Sequence, residues 1–134
     1  MSVSVFPLLF STALAESDSQ GLEFAIRGDN EYYVIVNCDS DATVIVIPDT
    51  FNGLPVKGWS YNAFSDCVNL KSVTIGNNIH GITYNSFLNL TKLEYVYIPS
   101  GVQLIDDRAF EGCSALTSIS IPETADSIRS HTFS

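Results

Sequence analysis

The feature that most constrains this chain is an internal repeat with a period of 23 residues. A phenylalanine recurs at that interval, and several other apolar positions keep the same spacing. These columns are Phe64, Phe87, Phe110 and Phe133; Leu70, Leu93 and Leu116; Val73, Val96 and Ile119; Ile75, Ile98 and Ile121; and Trp59, Ile82, Ile105 and Ile128. Because the columns share one register, the sequence predicts structural units that stack on one another.

The repeated unit combines a short strand with later apolar residues. In the unit that starts at Cys113, Ile119 and Ile121 alternate with serines, which is typical of a strand with one buried face. Pro122 ends that strand because proline cannot donate a hydrogen bond to a neighbouring strand. A single unit cannot bury so many apolar groups, so we predict that the units wind into a mainly β solenoid.

The repeats are predicted to occupy residues 47–134, after an N-terminal cap over residues 16–46. The first repeat carries a turn-rich insertion at residues 51–55. In the cap, the alternating segments 22–26 and 32–36 flank turn-forming residues and predict a β-hairpin. No polar cap follows the last repeat, so the array is expected to be truncated and the native protein to continue.

Residues 1–15 have the character of an export signal. A mostly apolar stretch ends in Ala13-Leu14-Ala15, the small-x-small pattern that signal peptidases accept, and polar residues follow at once. No Lys or Arg precedes that stretch. A buried N-terminal strand is the alternative, against which Pro7 argues. We therefore predict a signal peptide over residues 1–15 and a secreted or cell-surface protein.

The formal net charge of −9 narrows the range of partners. An acidic chain repels phosphate backbones and anionic lipid surfaces, so nucleic acid is not an expected partner. No apolar run is long enough to span a bilayer, and no membrane span is predicted.

Candidate catalytic and metal-binding residues are few. His80 and His131 have no motif partner, such as a nucleophile elbow or a zinc-ligand spacing, and are predicted to be solvated loop residues. The acidic segments at residues 39–41 and 106–107 do not fit a calcium loop. The sequence therefore predicts no enzyme activity, no cofactor and no metal site.

The repeat geometry limits which of the three cysteines can form a disulfide. Cys67 and Cys113 occupy the same repeat position two units apart, which places them about 10 Å apart and too far for a disulfide. They are predicted to be small buried apolar groups, and Cys38 is predicted to be unpaired.

The repeat pattern resembles a known family. Cys-x-x-Leu-x-x-Ile-x-Ile-Pro, followed by Ile and then Ala-Phe, resembles the BspA-like class of leucine-rich repeats, and residues 113–133 carry it most fully. Leu90 replaces the cysteine and Gly76 the proline in other units, and both changes are expected to be neutral for packing. The resemblance implies a curved solenoid with short parallel strands on its concave face and an irregular or 3-10-helical convex side.

The resemblance also implies a function. Members of that class are typically surface or secreted proteins of bacteria and some protists, associated with adhesion to host matrix, host cells or other microbes. The leading hypothesis is a protein-binding or adhesion module with protein or glycan ligands. Two alternatives stay open, namely the recognition arm of a larger secreted enzyme and a structural spacer.

Outward-facing strand positions form the predicted ligand-binding strip. Tyr95 and Tyr97 lie at its centre and are expected to anchor a ligand, because exposed tyrosine offers contact area together with a hydroxyl. The alternative is that tyrosine merely suits a solvated strand. The predicted strip contains Lys71, Ser72, Thr74, Glu94, Tyr95, Tyr97, Thr117, Ser118 and Ser120, with Lys71 and Glu94 setting charge preference at its edge.

Residues 27–29 spell Arg-Gly-Asp, the tripeptide that integrins bind. They are predicted to lie at an exposed hairpin tip. Glycine and aspartate are also ordinary turn formers, so integrin recognition and simple turn chemistry both stay open.

Overall fold

The computed structural model describes residues 16–17 and 20–134, so the predicted signal peptide lies outside the described residues. Within the described part the chain forms strands and turns and no helix, and hence no helix that could cross a membrane. The strands are β1 (Glu16–Ser17), β2 (Leu22–Arg27), β3 (Tyr32–Cys38), β4 (Val44–Val46), β5 (Thr50–Phe51), β6 (Leu54–Trp59), β7 (Ser72–Thr74), β8 (Gly81–Ile82), β9 (Tyr95–Tyr97), β10 (Leu104–Ile105), β11 (Ser118–Ser120) and β12 (Ser127–Ile128).

A five-stranded sheet with the order β1-β2-β3-β6-β5, here called the cap sheet, precedes the regular repeats. β2 and β3 pair antiparallel, which confirms the predicted hairpin. Their turn contains Gly28, Asp29 and Asn30 with φ of 63°, 55° and 70°. These residue types adopt the left-handed conformation at low cost, so the local sequence determines the turn.

The insertion in the first repeat is a structured hairpin. β5 and β6 pair antiparallel around Asn52 and Gly53, whose φ values are 49° and 82°. β6 then runs parallel to β3. The ring of Phe51 stacks on that of Phe24, with centroids 4.1 Å apart. The insertion therefore joins the cap sheet to the first repeat, a role that its turn-rich composition did not reveal.

The repeat strands form a four-stranded parallel sheet with the order β11-β9-β7-β4, here called the concave sheet. Its register places Ile45, Val73, Val96 and Ile119 in one row. The first three are fully buried, and Ile119 packs against the core while partly buried. The predicted row of short parallel strands with one buried face is confirmed.

A second parallel sheet, here called the lateral sheet, consists of β8, β10 and β12 on another side of the coil. Ile82 and Ile105 are buried in it, whereas Ile128 is exposed at the end of the row. In the described residues, the side predicted to be irregular or 3-10-helical thus consists of turns and very short strands.

The phenylalanine column forms a stack of rings through the core. The centroids of Phe64 and Phe87, Phe87 and Phe110, and Phe110 and Phe133 lie 5.0, 5.3 and 5.7 Å apart, with interplanar angles of 22°, 7° and 5°. The first three rings are buried, and Phe133 at the end of the stack is exposed. This column is therefore a core element, as its recurrence predicted.

Two departures from the repeat pattern have structural reasons. The buried hydroxyl of Ser86, in a column otherwise rich in alanine, accepts a hydrogen bond from the indole N–H of Trp59 at 2.9 Å. Gly76 stands where other units have proline, and a Cβ there would lie 2.6 Å from the carbonyl oxygen of Ile47. The expectation that Gly76 is neutral for packing is wrong, because the neighbouring turn approaches too closely for a side chain.

Each solenoid turn also contains a left-handed residue at one fixed position. Asn62, Asn85, Arg108 and His131, spaced at the repeat interval, have φ of 65°, 59°, 59° and 59°. The conformation recurs whether or not the residue type favours it. The turn geometry is therefore imposed by stacking on the neighbouring unit as well as by local sequence.

Cys38 and Cys67 form a disulfide, with Cα atoms 6.1 Å apart. The prediction of an unpaired Cys38 is therefore wrong. The insertion hid the pairing, because it lengthens the separation to 29 residues and removes Cys38 from the repeat register. Cys113 does not pair with Cys67, as their two-unit separation predicted, and it is free and half-buried. The prediction that Cys67 is simply a small buried apolar group is wrong, because Cys67 is buried as one half of the disulfide. Burial raises the pKa of the Cys113 thiol to about 11, so at neutral pH this thiol is protonated and poorly reactive.

Candidate functional site

The residues predicted to bind a ligand lie on the outward face of the concave sheet or directly before its strands. Two rows cross that face. By strand register, Ser72, Tyr95 and Ser118 form the first row, and Thr74, Tyr97 and Ser120 form the second. Parallel strands lie about 4.8 Å apart, so neighbours in a row are in side-chain contact range.

Strand β4 extends both rows with apolar side chains. Val44 pairs with Ser72, and Val46 pairs with Thr74. The two valines are 58% and 47% exposed and lie on the same face of one strand, so they form a small apolar patch. They were missed in the sequence because the strip was taken from the three later strands only. The alternation of Val44-Ile45-Val46 around a buried Ile45 was the available signal.

The two tyrosines of β9 lie between the hydroxyl residues of β7 and those of β11. Tyr95 and Tyr97 are 39% and 42% exposed, while Val96 between them is fully buried. Across the strip the side chains are therefore apolar on β4, hydroxyl-bearing on β7, aromatic on β9 and hydroxyl-bearing on β11. The concave strip is defined here as the nine predicted residues together with Val44 and Val46.

Charged groups lie at one edge of the concave strip on a fixed backbone. The carbonyl oxygen of Lys71 accepts hydrogen bonds from the amides of Glu94 and Tyr95 at 2.8 and 3.2 Å. The carbonyl oxygen of Glu94 does the same for Thr117 and Ser118, both at 3.2 Å. The side chains of Lys71, Glu94 and Thr117 are exposed, so their polar ends are available while the backbone beneath them is held.

The other residues singled out from the sequence lie elsewhere. Arg27 ends β2, and Gly28 and Asp29 lie in the turn that follows; all three residues are exposed. His80 and His131 are exposed in loops, and Nδ1 of His80 lies 3.3 Å from the carbonyl oxygen of Gly101. In residues 20–134, no three His, Cys, Asp or Glu side chains are grouped so that they could hold a metal ion.

Residues 33–134 match the sequence profile of the BspA type leucine-rich repeat region, in six copies. The chain belongs to the BspA-type leucine-rich repeat family. The match begins in β3, so the BspA-type pattern extends into the segment that the sequence assigned to the cap. No curated protein sequence matches this BspA-type chain.

Solved structures of bacterial leucine-rich repeat proteins resemble the BspA-type chain. A leucine-rich repeat protein of T. pallidum is 27% identical with a TM-score of 0.70, over 80% of this chain and 50% of its own. A leucine-rich cell surface protein of Faecalibacterium prausnitzii is 30% identical with a TM-score of 0.64, over 79% and 30%. A leucine-rich repeat protein of Bacteroides ovatus, 24% identical with a TM-score of 0.69 over 81% and 30%, shares the fold. The BspA-type chain thus spans half or less of each of these proteins.

Proposed function

We propose that this chain is a binding module of the cell exterior that captures a protein ligand on its concave strip. The observation that supports the proposal most is that one sheet face carries two exposed valines on β4 and two exposed tyrosines on β9, with the hydroxyl side chains of β7 between them. Val44, Val46, Tyr95 and Tyr97 occupy the centre and one side of the strip. Clustered exposed apolar groups of this kind mark interaction surfaces in soluble proteins.

The composition of the strip suits a protein partner. Tyrosine contributes a large apolar area and a hydroxyl while losing little conformational entropy on binding. The serines and threonines beside it supply hydrogen bonds at the rim, and Lys71 and Glu94 add one charge of each sign. Leucine-rich repeat proteins generally bind other proteins rather than carry out chemistry, which also favours binding over catalysis here.

Location outside the cell is supported by two features of the chain. The disulfide between Cys38 and Cys67 is of a kind that persists in oxidising compartments and is rare in the cytosol. Residues 1–15 have the composition and the small-x-small ending of a signal peptide. The similar Faecalibacterium protein is a leucine-rich cell surface protein, which points the same way. Adhesion to host matrix or to other cells would follow from such a location.

The proposal is tested by replacing both strip tyrosines, with Tyr95→Ser and Tyr97→Ser in one chain. The probes are immobilised fibronectin, laminin and collagen, measured by surface plasmon resonance. Binding to whichever of these the wild type captures should weaken at least about tenfold, or about 1.4 kcal/mol. The melting temperature should change little, because these side chains lie outside the core.

A matched control carries Tyr61→Ser and Tyr84→Ser, which remove two exposed tyrosines from the turns instead. This control should bind like the wild type. Unchanged binding in the folded strip variant, or an equal loss in the control, would remove the strip from the function.

A further inference from the structure

A second candidate binding site lies on a different side of the coil from the concave strip. A cavity of about 450 Å³ opens where the cap sheet ends and the lateral sheet begins, across β3, β6 and β8. Ligand pockets for small molecules commonly have volumes of about 300–1,000 Å³. In the described residues β6 and β8 are not hydrogen-bonded to each other, so the cavity occupies a break between two sheets.

Two glycines leave the cavity open. Gly58 and Gly81 belong to a column whose later members are Leu104 and Ser127, each one repeat apart. Neither glycine has a positive φ. A Cβ at Gly58 would meet nothing within 4 Å, and one at Gly81 would make only ordinary contacts, the nearest at 3.7 Å to the carbonyl oxygen of Leu104. Neither backbone conformation nor packing requires glycine at these two positions. Because both residues lack a side chain, the space between β6 and β8 is left unfilled.

The lining combines aromatic, apolar and hydroxyl groups. Tyr32, Val34 and Trp59 contribute half-buried side chains, and Thr83 contributes an exposed side chain with a hydroxyl. None of the lining residues is fully buried, so a ligand held there would stay partly in contact with water. These properties fit a saccharide, which offers an apolar C–H surface to an aromatic ring and hydroxyls to water and polar groups.

The charge of the lining favours an acidic saccharide. Lys57 is the one charged residue that lines the cavity, and its Nζ lies 5.0 Å from the centroid of the Tyr32 ring. Among residues 20–134, no Asp or Glu forms an ion pair with Lys57. A carboxylate placed in the cavity would therefore meet an ammonium and no opposing carboxylate from the lining.

We infer that this cavity binds a saccharide that carries a carboxylate, with Tyr32 and Trp59 contacting the sugar ring and Lys57 the acidic group. The inference is independent of the proposed function, because it uses a different sheet and different residues.

The test measures binding of free N-acetylneuraminate, D-glucuronate, D-galactose and N-acetyl-D-glucosamine to the full chain by saturation-transfer NMR and calorimetry. The acidic sugars should bind more tightly than the neutral ones.

Gly81→Leu places in the cavity the residue that the next repeat has at this position, and it should weaken binding at least about tenfold. Ser127→Leu introduces a leucine at the same repeat position outside the cavity and should bind like the wild type. Lys57→Gln should bring acidic and neutral sugars to equal affinity.

Three results would overturn the inference. They are no detectable binding of any of the four sugars to the folded chain, equal binding of acidic and neutral sugars by the wild type, and wild-type binding by a folded Gly81→Leu variant. If Gly81→Leu does not fold, Gly58→Leu fills the same space from β6 and replaces it in the comparison. The variant with serine at positions 95 and 97 should keep sugar binding, so failure of the concave strip and failure of this cavity are distinguishable.

Discussion

At the scale of single residues, backbone conformation constrains this solenoid as strongly as burial does. Asn62 is exposed and has a φ of 65°. The left-handed conformation costs most residues with a Cβ about 1–2 kcal/mol, costs asparagine less and costs glycine nothing.

We therefore predict that Asn62→Ala lowers the free energy of unfolding by about 1 kcal/mol, whereas Asn62→Gly changes it by about half that or less. Urea denaturation of the two variants provides the measurement. Equal stability of the alanine and glycine variants would contradict this account, because both remove the same polar group.

Residue identities predicted part of this picture. The buried columns follow from recurrence alone, since an apolar side chain at a fixed repeat position has few alternatives to the core. The left-handed column was hidden because Arg108 and His131 give no sign of their backbone conformation. The sequence shows that Gly76 replaces the proline of other repeats, but not why glycine is needed there. A Cβ at this position would lie 2.6 Å from the neighbouring turn, and that close approach exists only in the folded chain.

At the scale of elements, the outer edge of the concave sheet is protected by a side chain. β4 is the last strand in the order β11-β9-β7-β4. The amide of Val46 donates to Oε1 of Gln20 at 2.7 Å, and Nε2 of Gln20 donates to the carbonyl oxygen of Val46 at 2.8 Å. The glutamine amide thus takes the place of a neighbouring strand beside the exposed Val44 and Val46. Open strand edges with apolar side chains invite pairing with a second chain.

We predict that Gln20→Ala increases self-association, because it frees the backbone groups of Val46. The loss of two exposed hydrogen bonds should also lower the free energy of unfolding by about 1 kcal/mol. Sedimentation velocity over a range of concentrations reports the association. Gln103→Ala is the matched control, since Gln103 is an exposed glutamine for which the structure shows no side-chain hydrogen bond. The edge would need another explanation if the Gln20 variant stayed as monomeric as the control.

Elements of the regular repeats could be predicted well, and those before them less well. Strands β7, β9 and β11 follow from alternation at the repeat interval, and the hairpin of β2 and β3 follows from its turn residues. The sequence identified residues 51–55 only as a turn-rich insertion, because asparagine, glycine and proline dominate residues 52–55. The strand character of β5 and β6 comes from their pairing with each other, from the pairing of β6 with β3 and from the stacking of Phe51 on Phe24. The last two are tertiary contacts that the local sequence does not reveal. The predicted strip shows the same division, because its nine residues come from the regular repeats and it leaves out the two valines of β4, which remain, like the strip, a proposal.

At the scale of the whole molecule, the cap sheet and the solenoid behave as one unit because they share covalent and apolar contacts. Cys38 ends β3 of the cap sheet, and Cys67 lies buried in the first full solenoid turn. The segment between them contains β4, β5 and β6, which belong to two different sheets. The disulfide therefore fixes the place where the chain passes from the cap sheet to the concave sheet and then returns.

Reduction of this disulfide should destabilise the whole chain and not only the cap. A cross-link that closes a loop of this size, between cysteines 29 positions apart, removes conformational entropy from the unfolded chain worth about 3–4 kcal/mol. For a domain of this length we expect the melting temperature to fall by about 10 °C in the presence of a phosphine reductant. The measurement is circular dichroism at 218 nm, followed with and without reductant.

Cys113→Ala should show the same fall, which excludes a contribution from the free thiol. A chain carrying Cys38→Ala and Cys67→Ala should not respond to reductant. A wild-type melting temperature that moves by less than about 2 °C on complete reduction would show that apolar packing alone, through Phe24, Phe51 and the first repeat, holds the cap sheet to the solenoid.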